Sequence, residues 1–369
     1  MSKVKWVKLG DYISPRNERN SDLRYGVELI EGVNSDGEFQ PTKAITDGID
    51  LKPYKAVWQG DIVYNPSRLN IGSLAYRESG MCIVSHLYQV FHVKEEFQNE
   101  LLPEFLLIWF KRDEFSRIVD YYNYGSQRAE FNLKKLGELM IPLPSLSEQQ
   151  KVVNAWKAFR EIKEQNEAKA APLMQLCQSY IQELKHKYPA QEIGPYIEEC
   201  TERNYTLQSK NVRGVSTEKE FRVPQSRVDF DKLDNYKVVY KDHFVFVPTT
   251  DTWRCLALCL NKEENPIIVS PIYCVFSINQ EKIIPEYLHL YCRRKEIDRY
   301  ARFHSWGSAR ENFNFPDMQR LSIPLPPLDV QRAIVNIYKC ANEAKQIAAE
   351  ADRLSREVCP ALLQHVINS

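Results

Sequence analysis

IPLPSLSEQQKVVNAW (141–156) returns with few changes as IPLPPLDVQRAIVNIY (323–338). Two prolines around a leucine close a strand, because proline gives no N–H to a central ladder and cannot extend a helical turn. The polar turn that follows, then a glutamine and an amphipathic run, opens a helix. A junction of this kind written twice predicts a chain made of two similar halves.

Working outward from the junction, GSQRAEFN begins at Gly125 and GSARENFN at Gly307, 182 positions on. The same offset relates Pro142 to Pro324, Gln149 to Gln331, Asn154 to Asn336, Pro103-Glu104 to Pro285-Glu286 and Pro66 to Pro248. VSHLYQVF (84–91) answers VSPIYCVF (269–276) at an offset of 185, and KLGDYI near the start answers EIGPYI at 184. The duplication covers nearly the whole chain.

Each copy reads in one order. Strand-like runs come first (DIVYN and VSHLYQVF, then HFVFV and VSPIYCVF), β-branched and aromatic between Pro, Gly and Asn. A helix, PEFLLIWFKRDEFSRIV or PEYLHLYCRRKEIDRYA, opens on a proline in its first turn. A Gly-Ser-x-Arg loop follows, then Asn132 or Asn314 as the N-cap of a short helix. After each IPLP runs a long helix. In the first, Val152, Trp156, Phe159, Lys163, Asn166, Ala170, Leu173, Cys177, Tyr180 and Leu184 step by four and three; in the second, Ile337, Ala341, Ala344, Ala348, Ala351, Ser355, Val358 and Leu362 do so with smaller side chains. Pro172 and Pro360 are expected to kink or interrupt them. The predicted class is α+β: two similar α/β domains in tandem, each followed by a long helix. Antiparallel pairing of those helices would relate the domains by a pseudo-two-fold axis.

At 369 residues, two domains are the natural expectation. The start, MSKVKWVKLGDYISPRNERN, lacks the apolar core of a secretory signal, and no window reaches the apolar length of a membrane span. The expectation is a cytoplasmic chain. Nine scattered cysteines fit buried free thiols better than a disulfide framework or a metal site. Lysine plus arginine and aspartate plus glutamate both total 49, a neutrality that counts against nucleic-acid binding by the chain alone and fits a task shared with partners.

Catalytic motifs are missing. No GxxxxGK[ST] loop and no GxGxxG after a strand offers a nucleotide cradle. Asn65-Pro66-Ser67 is a faint relative of the Asn-Pro-Pro-aromatic motif of adenine methyltransferases, without its second proline, its aromatic or a glycine-rich cofactor loop. The carboxylates have no two-metal nuclease spacing. No catalytic and no metal residues are predicted.

YNPSRLNIGSLAY followed by IVSHLYQVF, the GS-x-R-x-x-FN loops, and above all the two IPLP…Q junctions resemble the DNA sequence-specificity subunit of type I restriction-modification systems. The resemblance spans the chain. It implies a target-recognition domain at 1–145, a central spacer helix at 146–188, a second target-recognition domain at 189–327 and a C-terminal spacer helix at 328–369. It implies that each domain reads one half of an asymmetric bipartite site in double-stranded DNA, and that the helices pack antiparallel as a coiled coil. The helices would set the spacing and dock two methyltransferase subunits. S-adenosylmethionine would sit on those subunits and not on this chain, and separate motor-nuclease subunits would cut unmodified DNA.

Two sets of DNA-binding candidates follow. Ser126, Gln127 and Arg128 in the first loop and Ser308 and Arg310 in the second suit phosphate or guanine contact; residues common to both copies also suit a shared structural turn. Ser67, Arg68 and Asn70 in the first copy, against Thr249, Thr250, Thr252, Trp253 and Arg254 in the second, differ between copies and are the specificity candidates. The run RRKEIDRYARFH (293–304) reads as a phosphate-facing edge or as a solvated helical face. The alternatives to this reading are a protein scaffold with two heads that bind no DNA, and an enzyme in its own right.

Overall fold

A computed structural model describes residues 4–42, 45–123, 130–224, 228, 230–250, 255–306 and 311–368. The chain forms two compact units: unit 1 is the chain up to Asn166 together with the stretch from Ile347 onward, and unit 2 is Glu167–Gln346.

The strands of unit 1 are β1 (Lys5–Lys8), β2 (Ile13–Pro15), β3 (Glu31–Val33), β4 (Phe39–Pro41), β5 (Lys55–Val57), β6 (Ile62–Tyr64), β7 (Leu74–Tyr76), β8 (Cys82–Val84), β9 (Gln89–Val93) and β10 (Met140–Leu143). Its helices are α1 (Leu9–Tyr12), α2 (Pro103–Phe110), α3 (Asp113–Asn123), α4 (Leu133–Gly137), the first half of α5 (Leu146–Lys187) and the last part of the C-terminal helix α9 (Leu328–Asn368). A four-stranded antiparallel sheet has the order β2-β9-β6-β7, and β3-β4, β5-β8 and β1-β10 form antiparallel pairs. Phe91, Phe105, Phe115, Phe131 and Leu136 fill the core beneath α2 and α3, and Val152, Val153 and Trp156 of α5 join it.

Unit 2 repeats the plan. Its strands are β11 (Ala190–Glu192), β12 (Ile197–Glu199), β13 (Gly214–Val215), β14 (Phe221–Arg222), β15 (Lys237–Val239), β16 (Phe244–Phe246), β17 (Leu258–Leu260), β18 (Ile267–Val269), β19 (Cys274–Ile278) and β20 (Ser322–Pro324). The order β12-β19-β16-β17 matches unit 1 strand for strand, as do the pairs β13-β14, β15-β18 and β11-β20. Its helices are the second half of α5, α6 (Pro285–Cys292), α7 (Lys295–Phe303), α8 (Phe315–Gln319) and the first part of α9 (Leu328–Asn368). His289 lies in the core of this unit, and burial pushes its imidazole down to about 3, so it packs as a neutral ring.

The repeated junction has a common cause in both units. Gln149 is fully buried: its Oε1 accepts the Leu102 amide at 2.9 Å, and its Nε2 donates to the Glu100 carbonyl at 2.7 Å and the Pro144 carbonyl at 2.9 Å. Gln331 repeats the set: its Oε1 accepts the Ile284 amide, and its Nε2 donates to the Lys282 and Pro326 carbonyls, each at 2.9 Å. One amide thus ties the start of each long helix to the start of α2 or α6 and to the IPLP turn. The closing strands β10 and β20 pair on one side only, which is where proline is tolerated. The glycine in KLGDYI and EIGPYI is explained as well. A Cβ on Gly10 would stand 2.9 Å from the Gly137 carbonyl oxygen, and one on Gly194 3.0 Å from that of Gln319, so only glycine lets the chain pass.

Several expectations are corrected. PEFLLIWFKRDEFSRIV is two helices, α2 and α3, and PEYLHLYCRRKEIDRYA is likewise α6 and α7. VSHLYQVF is not one strand: Ser85 accepts the Tyr88 amide at 3.0 Å in a turn between β8 and β9, and Ser270 accepts that of Tyr273 at 3.0 Å between β18 and β19. Neither Pro172 nor Pro360 interrupts its helix. Pro172 is exposed, so water can solvate the carbonyl that it leaves unbonded. In the first seam Tyr180 faces outward and Ile181 is buried in its place; in the second, Cys359 and Leu363 are buried where Val358 and Leu362 were expected. A helix of 3.6 residues per turn drifts off a strict 3.5-residue pattern, which accounts for the slip by one.

The helices α5 and α9 pack together. In unit 1, Val152, Val153 and Trp156 share a core with Cys359, Leu363 and Val366; in unit 2, Cys177, Ile181 and Leu184 share one with Ile334 and Val335.

Replacing Gln149 by Leu strands one buried donor and two acceptors, so unit 1 should lose about 2–4 kcal/mol in denaturant unfolding. Gln150→Ala next to it, on an exposed side chain, should stay within about 0.5 kcal/mol.

Candidate functional site

In unit 1 the loop after β6 is fixed by its own backbone. Asn65 Oδ1 accepts the Ser67 amide and its carbonyl accepts the Arg68 amide, both at 3.0 Å. Leu69–Ile71 make one 3-10 turn, and Gly72 ends it at φ +90° with the Ser35 carbonyl 2.4 Å from where a Cβ would stand. Ser73 is buried and its hydroxyl donates to the Val33 carbonyl at 3.0 Å. On this frame Ser67 and Arg68 are exposed, while Asn70 reaches α3 and donates from Nδ2 to Asp120 Oδ1 at 2.8 Å. The Phe131 amide donates to the Pro66 carbonyl at 2.9 Å. That bond joins the loop after β6 to the chain emerging from the GS-x-R segment.

In unit 2 the matching bond runs from the Phe313 amide to the Pro248 carbonyl at 2.8 Å. Thr249 Oγ1 donates to Asn312 Oδ1 at 3.1 Å, and the two residues form an antiparallel bridge. Trp306 bridges Asn312 from the other side, exchanging both backbone bonds. Thr250 is 1% exposed, its hydroxyl 2.6 Å from that of Ser305, and its amide donates to the Glu311 carbonyl at 3.1 Å. Thr250 therefore helps to hold the loop in place.

Both units thus bring together the two segments singled out from the sequence, the loop after β6 or β16 and the ends of the GS-x-R loop. Ser126, Gln127, Arg128, Thr252, Trp253, Arg254, Ser308 and Arg310 lie outside the described residues. In the basic run 293–304, three arginines have acidic partners. Arg293 pairs with Glu220, Arg294 with Glu296 and Arg302 with Glu311, so most of its charge is neutralised within unit 2.

The structure adds exposed aromatic rings to these loops. Tyr121, in the last turn of α3, is 80% exposed, and Tyr122 packs edge-on against both Tyr121 and Phe131. In unit 2, Phe303 at the end of α7 is 77% exposed and Trp306 73%. The signal was present as DYYNYGS and RFHSWGS, rings directly before each GS. Exposed rings beside rigid polar loops can stack on bases or line a groove edge, while the amides and hydroxyls exchange hydrogen bonds with base edges. Among the described residues no group of His, Cys, Asp and Glu could hold a metal ion, and no helix is long and apolar enough to cross a membrane.

The family model of the type I restriction modification DNA specificity domain matches residues 12–171 and 260–348, about two thirds of the chain. The chain belongs to that family. Its part in a type I restriction-modification system is DNA sequence specificity, without a catalytic role of its own. A curated relative, a putative type I restriction enzyme MjaX specificity subunit from Methanocaldococcus jannaschii, is 23% identical over 89% of this chain and 83% of its own length. The crystal structure of a type I restriction-modification system S subunit from M. genitalium is similar in fold, with a TM-score of 0.64 over 99% of this chain and 97% of that one at 12% identity.

Thr250→Val should cost unit 2 about 1–2 kcal/mol by leaving the buried Ser305 hydroxyl short of a partner. Ser67→Ala, on an exposed hydroxyl, should leave stability within about 0.5 kcal/mol, both read from denaturant midpoints.

Proposed function

We propose that each unit reads one half of an asymmetric, two-part sequence in double-stranded DNA. The domains run over 1–145 and 189–327, and the helices 146–188 and 328–369 act as spacers. The observation that carries this reading is the pair of equivalent backbone bonds, Phe131 to Pro66 and Phe313 to Pro248. The same frame is used twice, yet it presents Ser67, Arg68 and Asn70 in one unit and Thr249 in the other. Two equal frames with unequal side chains suit two half-sites of different sequence. Arg128 and Arg310, shared by both copies, suit contacts to phosphate.

The helices α5 and α9 pair as an antiparallel coiled coil in this reading. The shared cores support it, since the start of α5 meets the end of α9 and the end of α5 meets its start. The paired helices would set the gap between half-sites and dock two methyltransferase subunits, which carry S-adenosylmethionine; motor-nuclease subunits complete a cytoplasmic complex. The neutral charge balance fits a chain that leaves part of the phosphate contact to these partners.

Mapping methylated adenines in the host genome, with the gene present and deleted, tests this. One asymmetric bipartite motif should lose its methylation on deletion. An unchanged map would remove the proposal.

A further inference from the structure

Two of the exposed rings occupy one position in the repeat. The offset of 182 relates Tyr121 to Phe303, which are 80% and 77% exposed. Each is braced by the ring of the residue after it. Tyr122 stands edge-on to Tyr121 at 5.9 Å and to Phe131 at 5.9 Å. In unit 2, His304 stands edge-on to Phe303 at 5.0 Å and packs on Tyr300 at 4.3 Å, and Tyr300 reaches Phe313 at 6.2 Å. Phe131 and Phe313 are themselves equivalent, fully buried, and bonded through their amides to the Pro66 and Pro248 carbonyls. A chain of rings thus ties each exposed ring to the frame of the loop after β6 or β16.

A single exposed ring needs no explanation, but two at equivalent positions with equivalent braces do. What the copies share is a flat apolar ring. The Tyr121 hydroxyl has no counterpart on Phe303, so a hydrogen bond is not the common function. Residues that tell two half-sites apart must differ between the units, and these rings do not differ in kind. They therefore meet something that both half-sites contain. With each unit on one half-site, the shared features are the sugar-phosphate backbone and an adenine to be methylated. Phosphate calls for a cation or an N–H or O–H donor, and a phenyl ring has neither. A base step does accept a ring, since apolar side chains wedge between bases. An enzyme that acts on a base must also take it out of the stack.

We infer that Tyr121 and Phe303 are wedges: each enters the base stack at the target adenine of its half-site and fills the space left when a partner methyltransferase draws that adenine out. The inference rests on the reading of each unit as the reader of one half-site. A braced ring suits the task, because ordering a loose side chain at that moment would cost conformational entropy.

The test uses the full chain assembled with its partner subunits, on duplexes carrying the motif that genome mapping assigns to the gene. Tyr121→Ala should slow single-turnover methylation of the adenine in one half roughly 10-fold or more, and Phe303→Ala that in the other half, with the recognised sequence unchanged. Tyr121→Phe and Phe303→Tyr keep the ring and should rescue the rate. A mismatched base opposite the target adenine lowers the cost of unstacking, so it should close the gap between each alanine variant and the wild type. Unchanged rates at both adenines in the alanine variants would overturn the inference. So would a loss that the mismatch does not restore, as weakened docking of a methyltransferase subunit would give. Absence of any gene-dependent motif would remove the half-site reading itself, and the wedge with it.

Discussion

A buried side-chain amide holds each half of this protein to its long helix. Gln149 and Gln331 each satisfy one backbone amide and two carbonyls that have no strand or helix partner of their own. Without that amide the proline turn would end the domain but would not aim the helix that follows. With it, the first turn of the helix is bonded to the segment that opens α2 or α6. The prolines and the glutamine act as one device: the first stops the strand at an edge, and the second fixes the direction in which the chain resumes.

The same economy governs the recognition end. Backbone bonds and one glycine at positive φ fix the loop after β6, so its exposed side chains are free to vary without loss of the frame. In unit 2 the loop after β16 has a different anchor, the buried hydroxyl pair of Thr250 and Ser305. Divergence between the copies has therefore changed both what is presented and part of what holds it. An equal scaffold with unequal loops is what the proposed reading of two different half-sites requires.

Much of this was legible in the chain itself. The offset repeat gave the duplicate topology, and the paired junctions gave the edge strands and both long helices. The misses have local causes. The break between α2 and α3 falls at Lys111-Arg112, where Arg112 is buried, stacks on Trp109 and donates to its carbonyl, and the Phe110 and Phe115 rings pack together; none of these contacts is visible in the sequence. The turn inside VSHLYQVF was hidden by β-formers on both sides of Ser85. A threonine on a polar loop gives no sign of burial, so the sequence does not mark Thr250 as an anchor of the loop. Aromatic residues in and just beyond a helix's last turn are usually core, so the sequence does not mark Tyr121 and Trp306 as exposed. Sequence periodicity reports which face is apolar on average, and these positions depart from the average.

The central claim is that the two units read separate halves of one sequence. The most direct measurement selects a randomised duplex pool with the assembled complex, comparing wild type with Asn70→Ala and with Thr249→Ala. The account predicts that each substitution relaxes sequence preference in one half of the motif only, and that the two affect opposite halves. Relaxation of both halves by either substitution, or of the same half by the two, would contradict it.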